Sequence, residues 1–336
     1  MNDVMSDSKF AILLFTVAIL QGLLWALMVP PWQNPDEPAH FGYIQQLCED
    51  GNISSPVDGR RFSRELCIAV QALKHDRIGW QPFVAFSFTP DERSVVEGTF
   101  RSMPREARAD LSGSQNPAGH YPPVYYQIGC LGYRAFYEGS IITRLFGVRL
   151  ISVLLSSMTV LIFSFMARSF FEGDRTAART ASCLMLFQPM HSYMGAVASC
   201  DIMLFLAAVV LLTICFKIMK NGLKPVPLVG LILCFALGLL TKPTFIALFP
   251  LCLLAIIMAA KRSDLPLRGL VKSPVVIIGS LIVLCILAWF IRSGYLESWV
   301  KIFLAGGDGG SRSILSYLGA SILNLLMPWT LMAKRL

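Results

Sequence analysis

Long apolar runs separated by short basic loops dominate this chain after its first third. Runs of roughly membrane-spanning length occupy residues 10–29, 148–167, 177–198, 202–216, 226–240, 244–260, 274–291 and 314–332, and a shorter one covers residues 124–136. Residues 30–147 are the only extended polar stretch. The pattern predicts an all-α polytopic membrane protein with about eight transmembrane helices. It forms a single membrane domain over residues 1–336, with a large first outer loop at 30–147 and the transmembrane bundle at 148–332.

Composition agrees with that class. Of 336 residues 55% are hydrophobic and only 15% charged, outside the usual range of soluble globules. The formal charge of +8 matters here through where Lys and Arg lie, so it argues for an orientation and not for a nucleic-acid partner. Basic residues fill four short segments: Arg168, Arg175 and Arg179; Lys217, Lys220 and Lys224; Lys261, Arg262, Arg268 and Lys272; and Lys334 with Arg335. By the positive-inside rule all four face the cytoplasm. Both termini are then cytoplasmic, and Asp201, Lys242 and residues 293–313 lie outside. Val29-Pro30-Pro31-Trp32 is unsuited to signal peptidase, so the first run stays as an anchor.

Parity then requires the short run at 124–136 to leave on the side it entered. At about 1.5 Å per residue its 13 residues reach roughly two thirds of a hydrocarbon core of about 30 Å. A re-entrant or surface-lying helix is expected there. Residues 61–74 place Phe62, Leu66, Ala69, Val70 and Leu73 on one helical face, the pattern of a helix at the interface. Nine cysteines show no CxxC or Cys/His spacing. Cys48 and Cys67 share the polar loop and are a candidate pair if that loop faces an oxidising compartment.

Candidate chemistry begins at the end of the first run, in PPWQNPDEPAHFGYIQ. Pro38 suits a first helical position, which leaves Asp36 and Glu37 in a turn at the helix start, where negative charge is favoured. Plain capping by Asn34 and Glu37 accounts for the same residues. A second Pro-Asp-Glu, in TPDER, carries ordinary helix-starting signals at Thr89, Pro90 and Glu92. What sets Asp36 apart is depth, within seven residues of the apolar run. His40 follows one helical turn later. His120 precedes Pro122, Pro123, Tyr125 and Tyr126, which also fit a segment boundary with an interfacial aromatic belt. Lys242 is the lone charge of a very short outer hairpin, and Arg149, Arg144 and Arg292 are outer cations that also fit snorkelling helix ends. Asp201 opens a span from outside and fits an ordinary helix-starting carboxylate as well.

In order and spacing these elements resemble the GT-C superfamily of membrane glycosyltransferases. The likeness rests on PDE at 35–37, HYPPVYY at 120–126, FGVRLIS at 146–152, the outer Asp201 and LLTKP at 239–243. The NPDEPAHFGYI form looks closest to a bacterial branch of predicted membrane proteins. The resemblance implies an inverting glycosyltransferase in a bacterial inner membrane. Its donor would be a polyprenyl-phosphate-linked sugar and its acceptor an envelope polysaccharide, lipid or protein, reached from the outer face among membrane lipids. It implies Asp36 as catalytic base, with Glu37 assisting or binding a divalent metal beside it, and Lys242 and Arg149 on the lipid phosphate. His40, His120, Asp201 and Arg292 complete the candidate substrate-binding set. The resemblance names no definite cofactor and leaves a divalent metal open. Superfamily members generally have more spans, so a chain ending in MPWTLMAKRL fits a short form or a fragment. The rival readings are a flippase or transporter for a lipid-linked sugar, and a non-catalytic membrane scaffold. No inverted repeat or mid-span charge points to transport.

Overall fold

The computed structural model describes residues 6–34, 36–50, 60–74, 88–261, 273–292 and 294. Helix α1, Asp7–Met28, starts on the Ser6 cap and stops at Val29, ahead of Pro30 and Pro31. The next segment supplies α2 (Glu37–Asp50), α3 (Arg64–Ala72), α4 (Pro90–Arg101) and α5 (Val124–Ala135). At α4 the Thr89 hydroxyl accepts from Glu92 N–H and the Glu92 carboxylate accepts from Thr89 N–H, the reciprocal capping expected of TPDER. The long α6, Ile141–Phe170, lies against α1, α5, α7 and α9. Then follow α7 (Arg175–Leu186), α8 (Pro189–Met194), α9 (Asp201–Asn221), α10 (Pro225–Leu239), α11 (Phe249–Ala260) and α12 (Pro274–Arg292).

The all-helical class holds, but the expected eight spans do not. Among the described residues four segments are long and apolar enough to cross a membrane: Asp7–Met28, Ile141–Phe170, Asp201–Asn221 and Pro243–Ala260. The run at 177–198 is divided because Pro189 forbids a continuous helix, and Gln188 before it is extended. Residues 195–200 then run as irregular backbone, and Ala196, Val197, Ala198 and Cys200 are wholly buried. Non-helical chain survives at membrane depth only when protein covers it in this way. Helix α10 has only 15 residues, and α12 offers the short apolar stretch Val276–Cys285. The run at 314–332 lies outside the described residues.

The two ends of the bundle are marked by ion pairs. Asp7 at the start of α1 meets Arg168 at the end of α6, with Arg175 and Arg179 of α7 beside them. The opposite end gathers Glu37, Arg149, Asp201 and Lys242. The divided segment at 175–200 therefore runs from one end to the other, although it is not one helix.

The described residues between 30 and 147 are packed onto this bundle. The short run at 124–136 becomes the 12-residue α5, which meets α6 at bare backbone: a Cβ on Gly132 would stand 2.2 Å from the Gly147 carbonyl. Only glycine permits that approach. The apolar face of α3 is spent on protein, with Leu66 and Ala69 in the main core beside Ile44, Tyr125 and Tyr133. Arg144 is likewise no snorkelling side chain. It is fully buried, 2.5 Å from Glu65 of α3, while Gln45 of α2 donates to the other Glu65 oxygen. The candidate Cys48–Cys67 pair is also corrected. Cys48 on α2 is bonded to Cys130 on α5, and Cys67 is free. Cys67 sits on α3 beside Gly113.

Candidate functional site

Three pieces of backbone place the site. Asn34 accepts from Asp36 N–H, and the Asp36 carbonyl accepts from His40 N–H, so α2 begins as the proline spacing predicts. The second piece is the turn Pro117–His120, capped by Asn116, whose amide also donates to the Ala39 carbonyl and so fixes His120 and Tyr121 over α2. The third is the start of α9 together with the hairpin at Lys242.

Their side chains converge. Lys242 Nζ lies 2.7 Å from Asp201 Oδ1 and 5.3 Å from the centre of the Tyr121 ring. Tyr121 stacks on His40 at 5.9 Å and packs against His120 at 4.2 Å. His40 Nδ1 is 2.9 Å from the Tyr126 hydroxyl, and Tyr126 stacks on Tyr43 at 3.7 Å. Tyr43 in turn donates to the Tyr121 carbonyl and carries the Arg60 guanidinium over its own ring, 3.7 Å from the ring centre. Asp36 is exposed and bears no hydrogen bond or ion pair from its carboxylate among the described residues. Burial raises the Tyr121 hydroxyl and Lys242 lowers it, with the charges of Asp201 and, least, Asp36 adding to the rise.

The electrostatics follow from burial. His40 is almost wholly enclosed, and desolvation drags its pKa down to about 4 against the pull of Asp201, with Lys242 and His120 adding to the fall. It is a neutral imidazole at pH 7. His120 is lowered by burial and by Lys242, despite the Pro117 carbonyl it touches. Burial also disfavours the Lys242 ammonium, but its hydrogen bond to Asp201 and that residue's charge outweigh the penalty and leave Lys242 raised. Lys242 therefore stays a cation beside neutral rings.

Glu37 and Arg149 lie next to this cluster but are engaged with each other. Glu37 is wholly buried and takes Arg149 Nε and Nη2 on its two oxygens, together with the N–H groups of Trp32 and Ala198. The remaining Arg149 donors reach the carbonyls of Ala26, Val29 and Pro30 at the end of α1. Every strong acceptor position of the carboxylate has a partner. Arg292, exposed at the end of α12, is not brought to the cluster by any described contact. Of the candidates, Asp36, His40, His120, Asp201 and Lys242 are assembled together. Among the described residues no three of His, Cys, Asp or Glu converge closely enough to hold a metal ion.

Tyr121, Tyr126, Tyr43 and Arg60 were not singled out in the sequence as members of the cluster. Tyr121, which links His40, His120 and Lys242, is signalled only by its place between His120 and the two prolines. Tyr126 reads as part of an aromatic belt, yet its hydroxyl is buried on His40.

Fold and site together define a multi-pass membrane protein with a polar cluster at one end of its helices. Residues 19–306 match the family described as Predicted membrane protein (DUF2142), and the chain belongs to that family. No curated protein and no solved structure matches it.

Proposed function

We propose that this protein is an inverting glycosyltransferase that takes a sugar from a polyprenyl-phosphate donor and passes it to a cell-envelope acceptor on the outer face of the membrane. One observation carries the reading: an exposed carboxylate, Asp36, opens the helix turn that carries His40, and His40 stacks on the same Tyr121 ring that has the Lys242 ammonium 5.3 Å from its centre. In this reading Asp36 takes the proton of the acceptor hydroxyl as its oxygen bonds to the anomeric carbon, an assistance typically worth about 10²- to 10⁴-fold. The bond from that carbon to the phosphate oxygen breaks, and the electron pair leaves with the lipid phosphate. Lys242 lies where that charge develops, in surroundings that are half-buried and so strengthen it. Tyr121, partly exposed beside Lys242, suits contact with sugar hydroxyls, and the enclosed His40 ring supports it from beneath. Glu37 and Arg149 hold the turn that carries Asp36, and act through it. Direct displacement inverts the anomeric centre.

The test uses the purified full chain with radiolabelled polyprenyl-phosphate sugars and an envelope extract as acceptor. Asp36→Asn is expected to abolish transfer while leaving insertion and folding intact, and Asp91→Asn to be silent. Transfer by the Asp36 variant at the parent rate would remove the base and, with it, this reaction.

A further inference from the structure

Two ion pairs stand at the site end of the bundle, and they are built differently. Arg149 gives its donors to both oxygens of Glu37 and to three backbone carbonyls, and both side chains are buried. Lys242 meets Asp201 at one point, Nζ to Oδ1 at 2.7 Å, with 20% and 28% of the two side chains exposed. An ammonium has three N–H groups, and this contact engages one of them. The Asp201 charge also reaches beyond the pair: it pulls the His40 pKa upward against burial and adds to the rise at Tyr121. A carboxylate therefore stands beside the very cation assigned to the donor phosphate.

Resting on the reaction proposed above, we infer that Asp201 is a specificity-determining residue, which lets the site distinguish the phosphodiester donor from the phosphomonoester product. The donor phosphate is esterified to both lipid and sugar and carries one negative charge. Once the bond from the anomeric carbon to the phosphate oxygen breaks, the lipid phosphate is a monoester, with close to two charges above its second pKa of about 6. Lys242 alone would hold that product more tightly than the donor and delay the next turnover. One nitrogen with charge-assisted hydrogen bonds of about 2.8 Å on either side keeps the carboxylate and the phosphorus about 6 Å apart. Even where the surroundings screen like water, repulsion at that distance lowers affinity about threefold for one charge and about tenfold for two. The repulsion acts only in part at the transition state, where the bond is half broken, and in full on the product. Asp201 thus favours departure of the product, while the ammonium it touches stays charged.

The experiment measures binding of two short lipids to the full chain in detergent at pH 8 by isothermal titration calorimetry. They are farnesyl phosphate, a monoester, and farnesyl methyl phosphate, a diester of single charge. Asp201→Asn, and independently Asp201→Ser, are expected to tighten the monoester about tenfold and the diester about threefold. Asp201→Glu keeps the charge and should bind both lipids as the parent does. Weaker binding of both lipids by the Asn and Ser variants would overturn the inference and make Asp201 a positioning residue for Lys242. An equal change for the two lipids would overturn it as well. Lys242→Met separates the inference from the reading beneath it, because it should weaken both lipids. If it does so and the Asp201 variants show no preference by charge, the role of Asp201 alone fails. If Lys242→Met changes neither lipid, the phosphate lies elsewhere, and the donor site fails together with the inference.

Discussion

Glu37 and Arg149 form a buried two-point ion pair across 112 residues of chain, with Nε to Oε1 at 2.8 Å and Nη2 to Oε2 at 2.6 Å. The pair joins the end of α1, the start of α2, the first part of α6 and the irregular segment at Ala198 through one set of hydrogen bonds. Taking away one partner strands a charge where no water reaches it. Arg149→Met is therefore expected to cost about 3–5 kcal/mol, and Glu37→Gln to lower stability as well. The two changes together should cost less than their sum, because neither charge is then left alone. Thermal unfolding of the four proteins in one detergent completes the cycle. Strict additivity would mean that the two residues do not depend on each other.

Lys242 and Asp201 behave differently because they are half-buried, with 20% and 28% of their side chains exposed. Such a pair contributes little to stability, about 1 kcal/mol or less. Under the proposed reaction its parts are not equivalent. Lys242→Met should reduce transfer about 10²-fold, the usual effect of losing one preorganised partner of a developing charge. Asp201→Asn, which leaves the cation in place, should keep transfer within a few-fold of the parent. Rates at saturating donor decide this. Equal losses in both variants would make the pair a structural clasp.

The His40 environment predicts a pH dependence with a definite sign. Its folded pKa is about 4 against an ordinary 6.5. Above pH 6.5 neither the folded nor the unfolded chain binds the proton, and the stability is fully present. Between 6.5 and 4 the unfolded chain takes a proton that the folded protein refuses, so stability falls as pH falls, by about 3 kcal/mol in all. Below 4 this contribution is constant. His120 is lowered too and adds to the same slope, so the informative quantity is the difference between parent and His40→Asn. The variant should lose stability less steeply between pH 6.5 and 4. Parallel curves would mean that His40 is not enclosed as described.

The disulfide between Cys48 and Cys130 closes 82 residues of chain and ties α2 to α5 beneath the site. Its loss, by Cys48→Ser or by reduction, is expected to cost about 2–5 kcal/mol. Cys67→Ser should change nothing measurable, since that thiol is free and only partly buried. Non-reducing peptide mapping identifies the bonded pair, and recovery of a Cys48–Cys67 peptide would contradict it.

Much of this architecture was legible because it is written locally. The α4 capping box, the α2 start and the length of α5 follow from proline, threonine and glutamate positions, which act within a few residues. Helix count was less legible, because apolar composition does not reveal that Pro189 interrupts a run whose interior is then covered by protein. At the site, Asp36, His40, His120, Asp201 and Lys242 were readable as polar residues in apolar surroundings. Their partners were not. That Arg149 takes Glu37 and Arg144 takes Glu65 depends on contacts 112 and 79 residues apart, for which the chain carries no local mark.

Helix α6 provides the sharpest test of orientation. Its 30 residues extend about 45 Å at 1.5 Å per residue, more than a hydrocarbon core of about 30 Å, so its two ends must emerge on opposite sides if it spans. Ser140 caps one end and Thr176 follows the other, and both are exposed. In the orientation proposed from the basic loops, the Thr176 end faces the cytoplasm. The disulfide, carried on the same side as Ser140, independently belongs to an oxidising compartment. In a chain whose accessible thiols Cys67, Cys183 and Cys285 are serine, Ser140→Cys should therefore react with an impermeant maleimide applied to intact cells. Thr176→Cys should react only after the membrane is opened. The reverse labelling would invert the protein and place Asp36 and Lys242 on the cytoplasmic face, where an envelope acceptor is out of reach.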